Sequence, residues 1–209
     1  MSNPKTTSSS IYHVHPAIAR LKIWEESLSA KTGKTLEEWI SIVKQAEFST
    51  AKGSRDWLKL QFQLGTNRAW LIGERIEGKG WADSDPIAYL ITAQEYVDAM
   101  FSGAKFSLYP LYEILLTLGK QLGCDVKVCP CKTIIPFYRK HVFAQIKPCT
   151  RTRIDLGLAL GECQVSDRLI NTGGFAKGDR ITHRISITTV ADIDDEVKYW
   201  LKTAYNLDN

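Results

Sequence analysis

Apolar positions in the first third of the chain recur at three- and four-residue spacing, the period of a helix with one buried face. Ile18, Leu21, Trp24 and Leu28 make one such row behind Pro16, which suits a first helical turn, and Gly33 ends it as a C-cap. Leu36, Trp39, Ile40 and Val43 make a second row. It opens on Thr35-Leu36-Glu37-Glu38, a capping box in which the hydroxyl serves the N3 amide and Glu38 reaches back to the Thr35 amide. A third helix, capped at Ser54, turns Trp57, Leu58 and Phe62 inward. Leu64-Gly65-Thr66-Asn67 reads as a stop and a fresh N-cap, with a short fourth helix over 68–75 carrying Trp70 and Leu71. A second capping-box pattern at Thr92-Ala93-Gln94-Glu95 opens a helix with Tyr96, Val97, Met100 and Phe101 apolar. Pro110 opens the next, with Leu111, Ile114, Leu115 and Leu118 as its stripe and Gly123 as its end.

The period then changes to two. Residues 132–160 read as three successive strands joined at Arg139-Lys140 and at 148–152, with Ile154, Leu156, Leu158 and Leu160 on one side of the third and Arg153 and Asp155 on the other. A strand over 125–130 precedes them, and Pro136 argues that the second is an edge or carries a bulge. A short strand at 169–171 and a last strand over 180–188 flank the glycine-rich stretch 171–179. Residues 192–205 form an amphipathic helix whose acids, 192 and 194–196, sit in the first turn. These elements predict an α+β fold: a polar tail over 1–15, a small helical domain over 16–80, a linker over 81–90, and over 91–209 an antiparallel sheet of four to six strands with helices packed on one face.

Two stretches carry a resemblance. TGKTLEEW at 32–39 together with LGTNRAW at 64–70 is similar to a short helical domain of unknown function found in bacteria. The second part resembles another bacterial domain of unknown function through Lys132-Thr133-Ile134, Arg139-Lys140, Phe143-Ala144, the run Thr152-Arg153-Ile154-Asp155-Leu156-Gly157-Leu158, and His183-Arg184. The resemblance spans residues 16–205 and implies a two-part bacterial protein, with no reaction or ligand attached to either part. The CPCK run at 129–132 departs from the pattern. The strand arrangement is also similar in shape to small α+β domains such as the frataxin-like ones.

Composition places the chain among ordinary globular proteins: 209 residues, 44% hydrophobic, 24% charged, net charge +4. The charge is uneven. Residues 132–184 hold ten Lys and Arg against four acids, while 191–209 hold five acids against two lysines, so the positive excess belongs to the sheet region. Five cysteines, a polar start without an apolar leader core, and no apolar run of about 18 residues lead us to expect a cytoplasmic protein with reduced thiols and no membrane span.

Catalytic signatures are absent from the sequence. Cys124, Cys129 and Cys131 lack paired C-x-x-C spacing and a fourth ligand, and His13-x-His15 offers two ligands only, so no metal and no cofactor is expected. The 173–178 stretch is neither a P-loop nor a dinucleotide fingerprint. Cys149 lies in a basic connection where its pKa would fall. Asp155 beside Arg153 reads as an ion pair on one face. The glycine turn before 68–75 suggests a helix-turn-helix with Asn67, Arg68, Glu74 and Arg75 outward, against a plain helical unit packed on tryptophans.

What remains is the basic set. Arg139, Lys140, Arg151, Arg153 and Arg184 are the expected contacts for an anionic partner, a phosphorylated metabolite or a nucleic acid, in a binding module without catalysis. The alternatives are a small enzyme in a cleft between the domains with His183 or His141 as base, and an interaction scaffold using Trp39, Trp57, Trp70 or Trp81. A homo-oligomer is compatible with each.

Overall fold

The computed structural model describes residues 10–48, 50–78, 85–163 and 166–209, and the chain forms two compact units. One comprises residues 14–89. The other comprises residues 90–209 together with the N-terminal residues up to His13. Gly80 and residues 81–84 of the expected linker lie outside the described residues, as does the tail before Ser10, while the rest of the expected linker is taken up by Asp85 and the start of a helix at Pro86.

In the helical unit, α1 (Pro16–Thr32) starts on His15, whose Nδ1 accepts from the Ala17 amide at 3.0 Å, and stops on Gly33 at φ 75°, a conformation that disfavours any side chain. The Thr35–Glu38 capping box is present in full and launches α2 (Leu36–Gln45). α3 (Ala51–Phe62) begins one turn earlier than expected. Thr50, not Ser54, is its cap, and Ser54 is buried inside the helix. α4 (Thr66–Ile76) starts on Gly65, ahead of the expected Asn67. Leu28, Leu36, Trp39, Val43, Leu58, Leu64, Ala69 and Ile72 make the core, with the Phe62 ring edge-on to Trp39 at 4.9 Å.

α5 (Pro86–Met100) also starts early. The Asp85 carboxylate accepts from the Ala88 amide at 2.7 Å and Pro86 opens the helix, so Thr92 sits mid-helix and its capping-box pattern goes unused.

A 3-10 turn (Gly103–Leu108) follows α5 and leads into α6 (Tyr109–Lys120). Six strands then build one antiparallel sheet: β1 (Lys127–Val128), β2 (Ile135–Tyr138), β3 (Val142–Pro148), β4 (Ile154–Leu158), β5 (Ile170–Asn171) and β6 (His183–Ile187), in the order β1-β2-β3-β4-β6-β5. α7 (Asp195–Leu207) closes the chain. Register puts Phe137, Ala144, Leu158 and His183 in one cross-strand row and Ile135, Ile146, Leu156 and Ile185 in another, all buried. The opposite face carries Gln145, Lys147, Asp155, Arg184 and Ser186. Pro136 lies in an interior strand, but past the last β1 pair, where its carbonyl accepts from Cys129 at 3.1 Å and no amide is required of it. The bulge follows one residue later and admits Phe143 as an extra inward residue beside Phe137 and Tyr205.

α6 and α7 cover the apolar face. α6 approaches so closely at Gly119 that a Cβ there would overlap the Phe137 ring. Of the expected tail, residues 10–15 are tied down: Tyr12 is 4% exposed with its hydroxyl 2.8 Å from that of Tyr112, and the His13 amide donates to Val128 O at 2.8 Å.

The turn into α7 holds one strongly acidic carboxyl. Asp192 accepts from the Thr188 amide at 2.7 Å, the Thr188 hydroxyl at 2.8 Å and the Thr189 amide at 2.9 Å, and these donors pull its pKa from 3.8 to about 2. The folded form therefore favours the carboxylate. The stabilisation is complete above the unfolded pKa and is lost as pH falls through the folded one. Because the carboxyl is largely solvated, about 1 kcal/mol is expected rather than the full linkage value. The unfolding free energies of wild type and Asp192→Asn, measured with urea, should differ by that amount at neutral pH and converge near pH 2.

Candidate functional site

The five expected contact residues do not form one group. Arg139 and Lys140 lie in the β2–β3 hairpin, Arg151 and Arg153 in the β3–β4 hairpin. The seven residues of β3 separate these ends by about 20 Å at the usual strand rise. Arg139 is committed locally: Nε donates to Asp125 at 2.7 Å, and the guanidinium lies 4.5 Å from the centre of the Tyr205 ring. That bond, with one from the Tyr205 hydroxyl, lowers the Asp125 pKa. Lys140 is exposed.

Arg153 and Arg184 both turn to Asp155, which is 9% exposed. Arg153 donates through Nη2 to Asp155 Oδ2 at 3.5 Å, while its Nε, 2.9 Å from Oδ1, has its N–H not aimed at the oxygen and adds a charge–charge contact. Arg184 Nη1 reaches the same oxygen at 3.5 Å and donates to Ser186 Oγ at 2.7 Å. The Cys149 thiol donates to the other oxygen at 3.1 Å. Burial, then Asp155, pushes the Cys149 pKa up, not down as its basic neighbourhood suggested, and the thiol stays protonated.

Beside this cluster lies an open recess of about 840 Å³ in the sheet unit. α5 supplies Tyr96 and Met100, the 3-10 turn Lys105, the segment before β2 Lys132, the end of β3 Lys147, and the β3–β4 hairpin Arg151. No carboxylate is in this lining. Lys105 donates to the Pro148 carbonyl at 2.6 Å, and Lys132, Lys147 and Arg151 have no ion-pair partner among the described residues. Arg151 is the member of the expected five that the recess contains. Lys105 was invisible to sequence reasoning, since it lies over 40 positions upstream in an apolar stretch with no strand pattern to place it.

The two histidines do not make a general base site. His141 is exposed and its Nδ1 meets Asp208 at 3.0 Å, as part of an anchor for the chain end that also takes Arg180. His183 is wholly buried, with Nδ1 2.9 Å from the Thr182 hydroxyl. Cys163 Sγ is 3.6 Å from its Nε2 and 3.9 Å from its Nδ1. A thiol in line with the Nε2 lone pair would leave Nδ1 more than about 5 Å away, so this is a packing contact rather than a proton-transfer geometry. Burial lowers the His183 pKa and raises that of Cys163, which keeps both neutral.

His13 and His15 are each used locally, Nδ1 of the first accepting from Val128 N at 3.2 Å. Among the described residues no three His, Cys, Asp or Glu side chains are placed to hold a metal, and no helix is long and apolar enough to cross a membrane. On α4, Glu74 pairs with Arg55 at 2.9 Å, and Arg75 is buried against Glu25 at 3.5 Å. Half of the supposed base-reading set is therefore spent inside the unit. Trp39 is buried, Trp57 half-buried and Trp70 partly exposed, while Trp81 lies outside the described residues.

Fold and site together define an α+β protein of two units, one helical and one built on an antiparallel sheet with a cationic recess at one end. Residues 97–208 match a family described as a domain of unknown function (DUF5655), and residues 25–77 match a second domain of unknown function (DUF4287). The first match covers more than half of the chain, which belongs to the DUF5655 family. No curated protein and no solved structure matches it.

Proposed function

We propose that the protein is a non-catalytic binding module that takes a phosphorylated metabolite in the sheet-unit recess. The observation that carries this reading is the convergence of Lys105, Lys132, Lys147 and Arg151 on a cavity without a carboxylate. Four like charges gathered this way repel one another, and a bound polyanion relieves the repulsion. The volume suits a small ligand, and Tyr96, Met100 and Pro148 offer apolar surface to its uncharged part. A small ligand is favoured over nucleic acid because Arg139, Arg153 and Arg184 are each turned to a carboxylate, which leaves no long track of free cations across the sheet.

Isothermal titration against a panel of phosphorylated metabolites tests it. Binding should weaken with salt, and Lys132→Glu/Arg151→Glu should reduce affinity at least about 100-fold, given roughly 1.5–3 kcal/mol for each charge-assisted contact. Arg139→Glu, at the far hairpin, should leave affinity unchanged. Unaltered affinity in the double variant, or no binding by any member of the panel, would overturn the reading.

A further inference from the structure

The helical unit has a recess of its own, about 270 Å³, bounded by the end of α1, the start of α2 and the connection from α3 to α4. Its lining contains Lys31, Lys34 and Arg68 and no carboxylate. None of the three cations has an ion-pair partner among the described residues, and Arg68 Nε is enclosed without a hydrogen-bond partner. An enclosed, unpaired guanidinium nitrogen is costly unless something accepts from it. The two sequence stretches singled out above by their resemblance, 32–39 and 64–70, meet here. They supply Thr32, Lys34, Trp39, Gly65 and Arg68, although 24 residues separate them.

The floor is rigid. Trp39 is buried and its Nε1 donates to Thr32 Oγ1 at 2.9 Å, and that hydroxyl donates in turn to Leu28 O at 2.7 Å. Thr32 is thereby saturated and positions Trp39 rather than serving a ligand. Gly65 caps α4 with no side chain, and the Arg68 and Ala69 amides bond back to Gly65 O, so the Thr66 and Asn67 amides are the ones the helix leaves without an acceptor. Neither residue lines the recess, so the site rests on the three cations.

We propose that this recess binds a phosphate group, either as inorganic phosphate or as the phosphate of a small monoester. Two ammonium groups and one guanidinium match a dianion with several acceptor oxygens, and the small volume leaves little room for more than the phosphate and its first substituent. This site is separate from the sheet-unit recess and does not depend on it.

The test uses the full chain carrying Lys132→Glu/Arg151→Glu, so that the sheet-unit recess is silenced. Isothermal titration is run with inorganic phosphate and, separately, with glucose 6-phosphate, chloride being the only other anion. Saturable binding of either ligand is expected, and adding Lys34→Gln/Arg68→Gln should weaken it at least about tenfold. Binding of both ligands, or of one alone, supports the site and tells which source fills it. Absence of binding by both, or affinity unchanged by the glutamine pair, overturns it. Circular dichroism checks the fold of each variant. Should the pair fail to fold, Lys34→Gln alone, at a side chain with no partner to lose, gives the same reading with a several-fold loss.

Discussion

Phe137→Ala is expected to destabilise the sheet unit by about 3–5 kcal/mol, the usual loss when a buried aromatic ring is cut back to a methyl. Phe137 is fully buried, its ring meets Phe143 at 6.1 Å, and α6 is seated on it at Gly119. Deleting the ring removes contacts to a helix and to a neighbouring strand together, and neither can close the gap without shifting the sheet. The same contact can be attacked from the other side. Gly119→Leu would drive a side chain into the ring, and overpacking of this kind costs about 1–3 kcal/mol or more. Denaturant unfolding should report both losses. Gly119→Ala combined with Phe137→Leu should be less damaging than the sum of the two single changes, since the smaller residue at 137 makes room for the added methyl. Strict additivity would mean that the two positions do not share one packing contact.

Asp155→Ala should cost about 2–3 kcal/mol. Removing one partner of a buried pair typically costs 3–5 kcal/mol, but the Arg153 and Arg184 side chains remain 37% and 29% exposed and recover part of their hydration. The variant also strips a negative charge from beside the recess, since Asp155 stands opposite Lys147 in the β3–β4 register and holds the Cys149 thiol. A less stable protein with tighter anion binding is therefore expected from the proposed function, a trade in which a functional surface and the fold pull apart. Chemical denaturation and titration on the same sample check the two halves.

Much of the architecture was legible because it rests on local chemistry. The Thr35–Glu38 box, the Gly33 stop, the alternation of Ile154, Leu156 and Leu158, and the acid-led final helix are each decided within a few residues. Helix starts were harder. Thr50 and Ser54 are equally good caps by residue type, and the choice fell to burial: the Ser54 position faces the core, where the helix must already be formed. Asp85-Pro86 outcompeted Thr92 for the same kind of reason, the earlier signal adding turns of packed helix.

The candidate sites were least legible, because they depend on which strands become neighbours. Nothing local shows that β6 lies beside β4, so the sharing of Asp155 by Arg184 as well as Arg153 could not be foreseen. That the two hairpin pairs of cations lie at opposite ends of β3, by contrast, already follows from three successive strands joined at those two points. Lys31, Lys34 and Arg68 became a set only when the ends of three helices met.

The Tyr12–His13 segment has a practical corollary. By its contacts this dipeptide belongs to the same unit as residues 90–209, so the helical unit is an insertion within that unit's covalent path rather than an appendage before it. The outer flank of β1 is occupied by His13, through its own amide and its ring. A fragment cut to begin at Leu90 would shed that cover and bare an open strand flank, a template on which a second molecule can lay down its own backbone. Such a trimmed fragment would be prone to self-association, even though every residue of the sheet itself had been kept.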